Sequence, residues 1–445
     1  MALIKPRAHQ EELMAFHKTS GMQGTLAWHD MGLGKTLTSL WLAREHLAEL
    51  RAGGVKNPKF MVILPKSAIP TWKVECHKNT PDLTNSMIIY PYSQLHHAIR
   101  SIKYADIRMI IFDESHYLKS PETNRIEALA KFIEELGSVN GKFDKGRIMM
   151  LTGTPMPNSA TELFTSWVLC TSPNLAETAK RLRDKDRFEN WKKSFSKKKE
   201  QTWKVGRGKQ QKVKHGNKWE GVANEDKLQK LLTPFVHYKK SKDCISLPDA
   251  IEIPIDLGLE DDKLLADANI EAPEAYMALL ERLARAKCPY MMEWVGDYLH
   301  AGDQQLLVFA NYRFPLEELK EKYPKHVRMI TGSETGAERA QNLKDFQEGK
   351  YRVLAMTFRC GSESLNLQNA FVSLYHGYPW TDSMVKQAMA RTKRSGQKNK
   401  TLHYFLTSGM NDQRILSLVR AKEEATTVVE TMIKKNQELT LDTLI

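Results

Sequence analysis

The segment Asp30-Met31-Gly32-Leu33-Gly34-Lys35-Thr36 has the residue types of a loop that wraps a phosphate chain, and it lies between an apolar stretch, Thr25-Leu26-Ala27-Trp28, and a helical run from Thr36 to Leu50. Glycines let backbone N–H groups converge on an anion, and the helix amino terminus adds positive potential. Lysine reaches the β- and γ-phosphates, and the threonine hydroxyl can ligate Mg2+. Met31, Gly32, Leu33, Gly34, Lys35 and Thr36 are therefore candidate nucleotide contacts, with Thr36 also a metal ligand. The usual phosphate-loop pattern begins with glycine where this chain has His29.

A second constellation, Asp113-Glu114-Ser115-His116, follows the apolar run Met109–Phe112 and so falls where a strand ends. One carboxylate there can hold Mg2+ while the other polarises a water for attack on a phosphate. Asp113 is the candidate metal-side acid and Glu114 the candidate general base. An acidic pair alone also fits a solvated loop or a helix cap; together with a phosphate loop it points to hydrolysis of a nucleoside triphosphate.

Parallel strands are needed to hold such groups at one edge. Short apolar runs alternate with helical patterns twice: Phe60–Leu64, Met109–Phe112 and Ile148–Leu151, then Gln305–Phe309, Val353–Met356 and Phe371–Tyr375. Continuous apolar strands are what sheets buried on both faces require, so the fold class is α/β with two doubly wound parallel-sheet lobes. The expected boundaries are 1–165 for the first lobe, 166–272 for a helical, basic insertion and hinge, 273–430 for the second lobe and 431–445 for a tail. Between Lys192 and Lys218 there are eleven Lys or Arg and one acid, Glu200, with Trp191, Phe195, Trp203 and Trp219 in or beside the run. Its cations could grip phosphates and its tryptophans could stack on bases; equally, the run could be a solvated loop whose tryptophans pack on the lobe beneath.

Across 445 residues, 66 Lys and Arg against 53 Asp and Glu leave a net charge of +13, which favours a polyanionic partner. The 5 cysteines form no C-x-x-C pair, which argues against a disulfide framework or a zinc site and for a reducing, intracellular setting. No apolar run approaches the ~20 residues of a membrane span, so the expectation is a soluble, cytoplasmic protein.

The two constellations resemble motifs I and II of the Snf2-type superfamily 2 helicases and ATPases, whose usual forms are DEMGLGKT and DEAHxLKN. In that family the position of His29 is normally Asp. The resemblance continues with Pro6 to Gln10 as a Q-type motif and Ile63–Ser67 with Trp72 as motif Ia. Leu151–Asn158 is similar to motif III, Val308-Phe309 with Asn311 to motif IV, and Arg359–Gln368 to motif V. Gln387–Gln397 resembles motif VI, and Asn411–Ile415 resembles the ending TxDERI.

That resemblance implies RecA-like lobes with ATP and Mg2+ between them. It implies that Gln10 reads adenine, that Gly361, Glu363 and Gln387 add nucleotide contacts, and that Arg391 and Arg394, three apart on a helix, act as arginine fingers. Lys66, Ser67, Thr154, Asn311, Thr357 and Arg359 are the implied contacts to a nucleic-acid backbone. Two departures stand out. Ser362 and Ser364 replace the usual motif V glycines, and His237-Tyr238-Lys239-Lys240 replaces the usual LRR.

Three functional readings follow: a monomeric translocase on duplex, forked or branched DNA, nuclear if the source is eukaryotic; a strand-separating helicase on DNA or RNA; or a nucleic-acid-stimulated ATPase switch that displaces a protein partner. A compact core without a chromodomain, bromodomain or finger pattern would suit the first, in a bacterial or phage setting.

Overall fold

The computed structural model describes residues 4–102, 105–139, 147–156, 159–205, 212–259, 273–361, 365, 367–379, 382–393, 397–409, 412 and 426–434. The chain divides into two compact units. Residues 1–202, 215–245 and 423–445 form the first; residues 203–214 and 246–422 form the second.

Fourteen strands are described: β1 (Gly24–His29), β2 (Lys59–Leu64), β3 (Met87–Pro91), β4 (Ile107–Asp113), β5 (Ile148–Thr152), β6 (Lys197–Val205), β7 (Lys212–Glu220), β8 (Val236–Lys239), β9 (Ala250–Asp256), β10 (Leu306–Ala310), β11 (Val327–Ile330), β12 (Val353–Thr357), β13 (Val372–Tyr375) and β14 (Thr401–Thr407). In the first unit the sheet order is β3-β2-β4-β5-β1-β8, and in the second β11-β12-β10-β13-β14-β9. Every pairing in both sheets is parallel. These are two RecA-like, doubly wound α/β lobes.

Both faces of each sheet are buried, and alternate residues of one strand serve different cores. Leu26 and Trp28 join one cluster with Ile63, Ile110 and Phe112, while Ala27 joins another with Val62, Ile111 and Leu151. The second sheet repeats this: Leu307 and Phe309 face Leu354 and Met356, whereas Leu306 and Val308 face Val353 and Ala355. Burial on both faces explains the unbroken apolar runs.

The structure divides the expected inter-lobe region differently. The helices Phe164–Thr171, Leu175–Arg183 and Lys185–Phe195 add residues to the first core. Val236–Lys239 becomes β8, an edge of the first sheet, and Ala250–Asp256 becomes β9, an edge of the second. The helix 426–434, which spans the expected boundary between the second lobe and the tail, buries Val429 and Ile433 in the first unit's core.

Within the basic run, expected to be part of a helical region, Lys197–Val205 and Lys212–Glu220 form a two-stranded sheet of β6 and β7. Trp191 and Phe195 are core residues of the first unit. They are 4% and 3% exposed, packed with Phe164 and Phe188. Trp191 lies 4.9 Å from the Trp167 ring and donates its indole N–H to the Ala160 carbonyl at 2.9 Å. Trp219 is half-buried, and the Lys192 ammonium sits 5.9 Å from its ring. The Trp203 side chain lies outside the described residues.

Among the described residues no helix is long and apolar enough to cross a membrane. Because Trp191 fills an aromatic cluster and satisfies a buried carbonyl, Trp191→Ala should destabilise the first unit by about 3–5 kcal/mol. Urea unfolding followed by circular dichroism measures this; a loss below about 1 kcal/mol would place the indole outside the core.

Candidate functional site

In a parallel sheet every strand points the same way, so loops at the carboxyl ends share one edge. At that edge of the first sheet lie the phosphate loop after β1, Asp113 at the end of β4, and Thr152 at the end of β5 between them.

Gly32 and Gly34 adopt positive φ of 83° and 76°, conformations that favour glycine. A side chain on Gly34 would also meet the Gln10 amide at 2.6 Å. Helix Lys35–Ala52 starts directly after Gly34, so the positive end of its dipole lies at the loop. Lys35 Nζ donates to the carbonyls of His29 at 2.6 Å and Asp30 at 3.1 Å. Met31, Gly34, Lys35 and Thr36 are partly exposed, Gly32 is exposed and Leu33 is buried.

Gln10 is 5% exposed, and its amide nitrogen is 3.5 Å from the carbonyls of both Leu33 and Gly34. The neighbouring His9 Nε2 is 3.0 Å from the Leu33 carbonyl. Both bear on the loop from the helix Ala8–Thr19.

Asp113 is buried at 7% exposure. Its Oδ2 accepts the Trp72 indole N–H at 2.7 Å, its Oδ1 accepts the Glu114 N–H at 3.0 Å, and its carbonyl accepts the Tyr92 hydroxyl at 2.9 Å. Burial and the adjacent Glu114 charge raise its carboxyl to about 6, against the lowering pull of Trp72 and Lys35. A buried carboxylate this short of compensation has the chemistry of a cation ligand, and the Thr36 hydroxyl supplies a second oxygen on the same loop edge.

Glu114 holds φ 50° and ψ 52°, left-handed for a residue with a side chain. Such a conformation costs about 1–3 kcal/mol and persists where surrounding structure enforces it. Its Oε2 lies 3.2 Å from His116 Nδ1, and that same nitrogen is 3.3 Å from Thr152 Oγ1. Thr152 Oγ1 in turn accepts the Thr154 N–H at 3.1 Å. Residue types and spacing alone give His116 no role; its place in the Asp-Glu-Ser-His run is the signal that could have found it.

Directly behind the loop His29 and His237 meet, with Nε2 and Nδ1 2.7 Å apart and both rings buried. Burial lowers His29 well below the usual range, aided by His237, Lys35, His9 and Lys239. Burial, Lys239 and His9 bring His237 down to about 3. In the unfolded chain such rings protonate near 6.5. The unfolded state thus binds more protons below that pH, and the stability this pair contributes declines as pH falls from there toward about 3.

In the second unit, Asn311 follows β10, Thr357 ends β12 and Arg359 follows it, again at one carboxyl edge. Asn311 and Arg359 are exposed and Thr357 partly so; Asn311 also donates to the Tyr378 carbonyl at 2.8 Å. In the first unit Lys66 is exposed and Ser67 partly so, just past β2, and Thr154 lies just past β5.

Arg391 was expected on a helix, but the helix ends at Met389. Arg391 is 3% exposed and its Nε donates to the Gly361 carbonyl at 2.9 Å, while Gln397 donates to the Gln368 carbonyl at 2.8 Å. These bonds tie the two motif loops to each other. Gly361 is needed as glycine, because a side chain there would meet the Phe309 ring at 2.5 Å. Gln387 is buried on Asp382–Met389. Asp412 pairs with buried Lys287 at 2.5 Å, an anchor within the second unit. Arg394, Glu363, Ser362 and Ser364 lie outside the described residues.

Three comparisons bear on this arrangement. A model of the SNF2-related domain matches residues 9–90 and 83–266, and a model of the helicase conserved C-terminal domain matches 288–396. The chain is 24% identical over 431 residues to the Xenopus laevis SWI/SNF-related matrix-associated actin-dependent regulator of chromatin subfamily A-like protein 1, covering 88% of this chain and 41% of that protein. It is 23% identical over 448 residues to human DNA annealing helicase and endonuclease ZRANB3, covering 89% and 38%. It is 21% identical over 480 residues to the putative ATP-dependent helicase/translocase YwqA of Bacillus subtilis, covering 92% and 47%. The chain thus spans less than half the length of these curated relatives.

Trp72→Phe deletes the one indole bond that stabilises the charged form of Asp113. Losing a hydrogen bond to a charged group costs roughly 1.5–3 kcal/mol, so a divalent cation that used Asp113 as a ligand should need about tenfold more metal for half-saturation. A Mg2+ titration of hydrolysis at fixed ATP reads this, and an unchanged midpoint would separate Trp72 from the metal side.

Proposed function

The chain belongs to the SNF2-related family, and from that premise we propose that it is an ATP-driven DNA translocase that remodels duplex, forked or branched DNA. The observation that carries this reading is the shared edge of β1, β5 and β4, which brings the phosphate loop and the Asp113–Glu114 pair to one side of the first sheet.

In this reading Gln10 recognises the adenine end and the loop residues Met31 to Thr36 bind the phosphates, with Lys35 exchanging its carbonyl partners for phosphate oxygens. Mg2+, held through Thr36 and Asp113, would neutralise charge that develops on the γ-phosphate. Glu114, fixed by its backbone and by His116, orients and deprotonates the attacking water. Gly361, Glu363 and Gln387 add nucleotide contacts from the second lobe, and Arg391 and Arg394 neutralise the transition state.

Lys66, Ser67, Thr154, Asn311, Thr357 and Arg359 would track the DNA backbone. Their positions at carboxyl strand ends support this, as does the net charge of +13. The motor lobes of this reading are 1–165, joined by β8 and the helix 426–434, and 273–425, joined by β9.

Arg394→Ala should keep nucleotide binding and lose about a thousandfold or more in hydrolysis, while Lys35→Ala loses both. Binding of a fluorescent ADP, DNA-stimulated ATPase and displacement of a triplex-forming strand separate the three properties. Normal hydrolysis by Arg394→Ala with duplex present would refute the two-lobe mechanism; hydrolysis without triplex displacement in the wild type would favour a switch over a motor.

A further inference from the structure

The departures at His29 and His237 are 208 positions apart, yet the two rings share a 2.7 Å contact. His29 ends β1 and its carbonyl accepts Lys35 Nζ at 2.6 Å. His237 belongs to β8, which pairs with β1 so that Ala27 faces His237 and His29 faces Lys239.

The next loop residue is held to the same segment. Asp30 N donates to the Lys239 carbonyl at 3.0 Å. Asp30 Oδ2 accepts from Ser241 N at 2.8 Å and from Ser241 Oγ at 3.2 Å. The base of the phosphate loop is therefore fixed from β8 and Ser241, just before the chain passes from the first unit, at Ile245, to the second, at Ser246.

We propose that His237 is a positioning residue for the phosphate loop: its hydrogen bond to His29 sets the carbonyl on which Lys35 rests and ties nucleotide binding to the segment that continues into the second lobe. This rests on the nucleotide assignment above. Two neutral imidazoles at this distance form one N–H···N bond, so one ring donates and the other accepts. His9, Lys35 and Lys239 are the charged or titratable groups acting on the pair, and Phe16 covers His237 at 5.5 Å between ring centroids. Burial, with the cations Lys35 and Lys239, disfavours a second proton on either ring. When phosphate draws Lys35 away from the His29 carbonyl, the change is passed through this bond to β8.

The test compares His237→Leu, which fills the space without a polar atom, with His237→Asn, whose amide stands where Nδ1 stood. His237→Leu should weaken fluorescent-ADP binding and raise KM for ATP by about tenfold, the worth of one buried hydrogen bond, with less change in kcat. His237→Asn should recover most of that loss. In wild type, imidazole 15N resonances of His29 and His237 should shift on adding ADP and stay fixed in Lys35→Ala; this measurement stands if His237→Leu does not fold.

Equal ADP affinity and KM in His237→Leu and wild type would overturn the proposal, as would equal losses in the Leu and Asn variants or imidazole signals indifferent to ADP. A wild type that neither binds ADP nor hydrolyses ATP overturns both this and the nucleotide assignment; a wild type that does both, matched by His237→Leu, removes the histidine pair alone.

Discussion

A parallel sheet buried on both faces can offer chemistry only where its strands end. Covering helices seal the faces of each sheet here, so polar groups that must meet a ligand gather in the loops beyond β1, β2, β4 and β5 in one unit and β10 and β12 in the other. The phosphate loop, the acid pair and the candidate backbone contacts all obey this constraint. It also explains why residues far apart in sequence, Lys35 and Asp113 among them, share one edge.

Within that edge the energetics run against stability and toward binding. Asp113 is buried beside a second carboxylate, which raises its carboxyl to about 6. Keeping it ionised at neutral pH therefore costs folding free energy, because the unfolded chain gives up the same proton at lower pH. Trp72 and Glu114 N offset part of that cost, and a bound cation would offset more. Glu114 adds backbone strain from its left-handed conformation. Groups held at a cost, each with a named partner, mark a site kept for chemistry.

Much of this is legible in the sequence. Strands such as Phe60–Leu64 and Val353–Met356 read clearly because two-sided burial leaves unbroken apolar runs. The phosphate loop and acid pair read clearly because their chemistry constrains residue type. The edge strands β8 and β9 do not, since Val236–Lys239 is short and half polar and Ala250–Asp256 alternates in exposure. The basic run reads as helical on its lysines, although Thr202, Trp203 and Val205 before Gly206 are β-formers leading into a turn. Arg391 carries a family motif, yet its burial against Gly361 depends on a fold that spacing does not reveal. The His29–His237 contact is beyond reach for the same reason: each histidine looks like an isolated departure until β8 is paired with β1.

In the proposed function, Glu114 drives ATP hydrolysis in a DNA-responsive motor. Steady-state ATPase of the wild type and Glu114→Gln, with no polymer, blunt duplex, forked DNA, single strand and RNA at one salt concentration, tests it most directly. Duplex or fork should stimulate the wild type, and Glu114→Gln should lose that activity while still binding nucleotide. Equal hydrolysis by Glu114→Gln, or a wild type that no DNA stimulates, would contradict it.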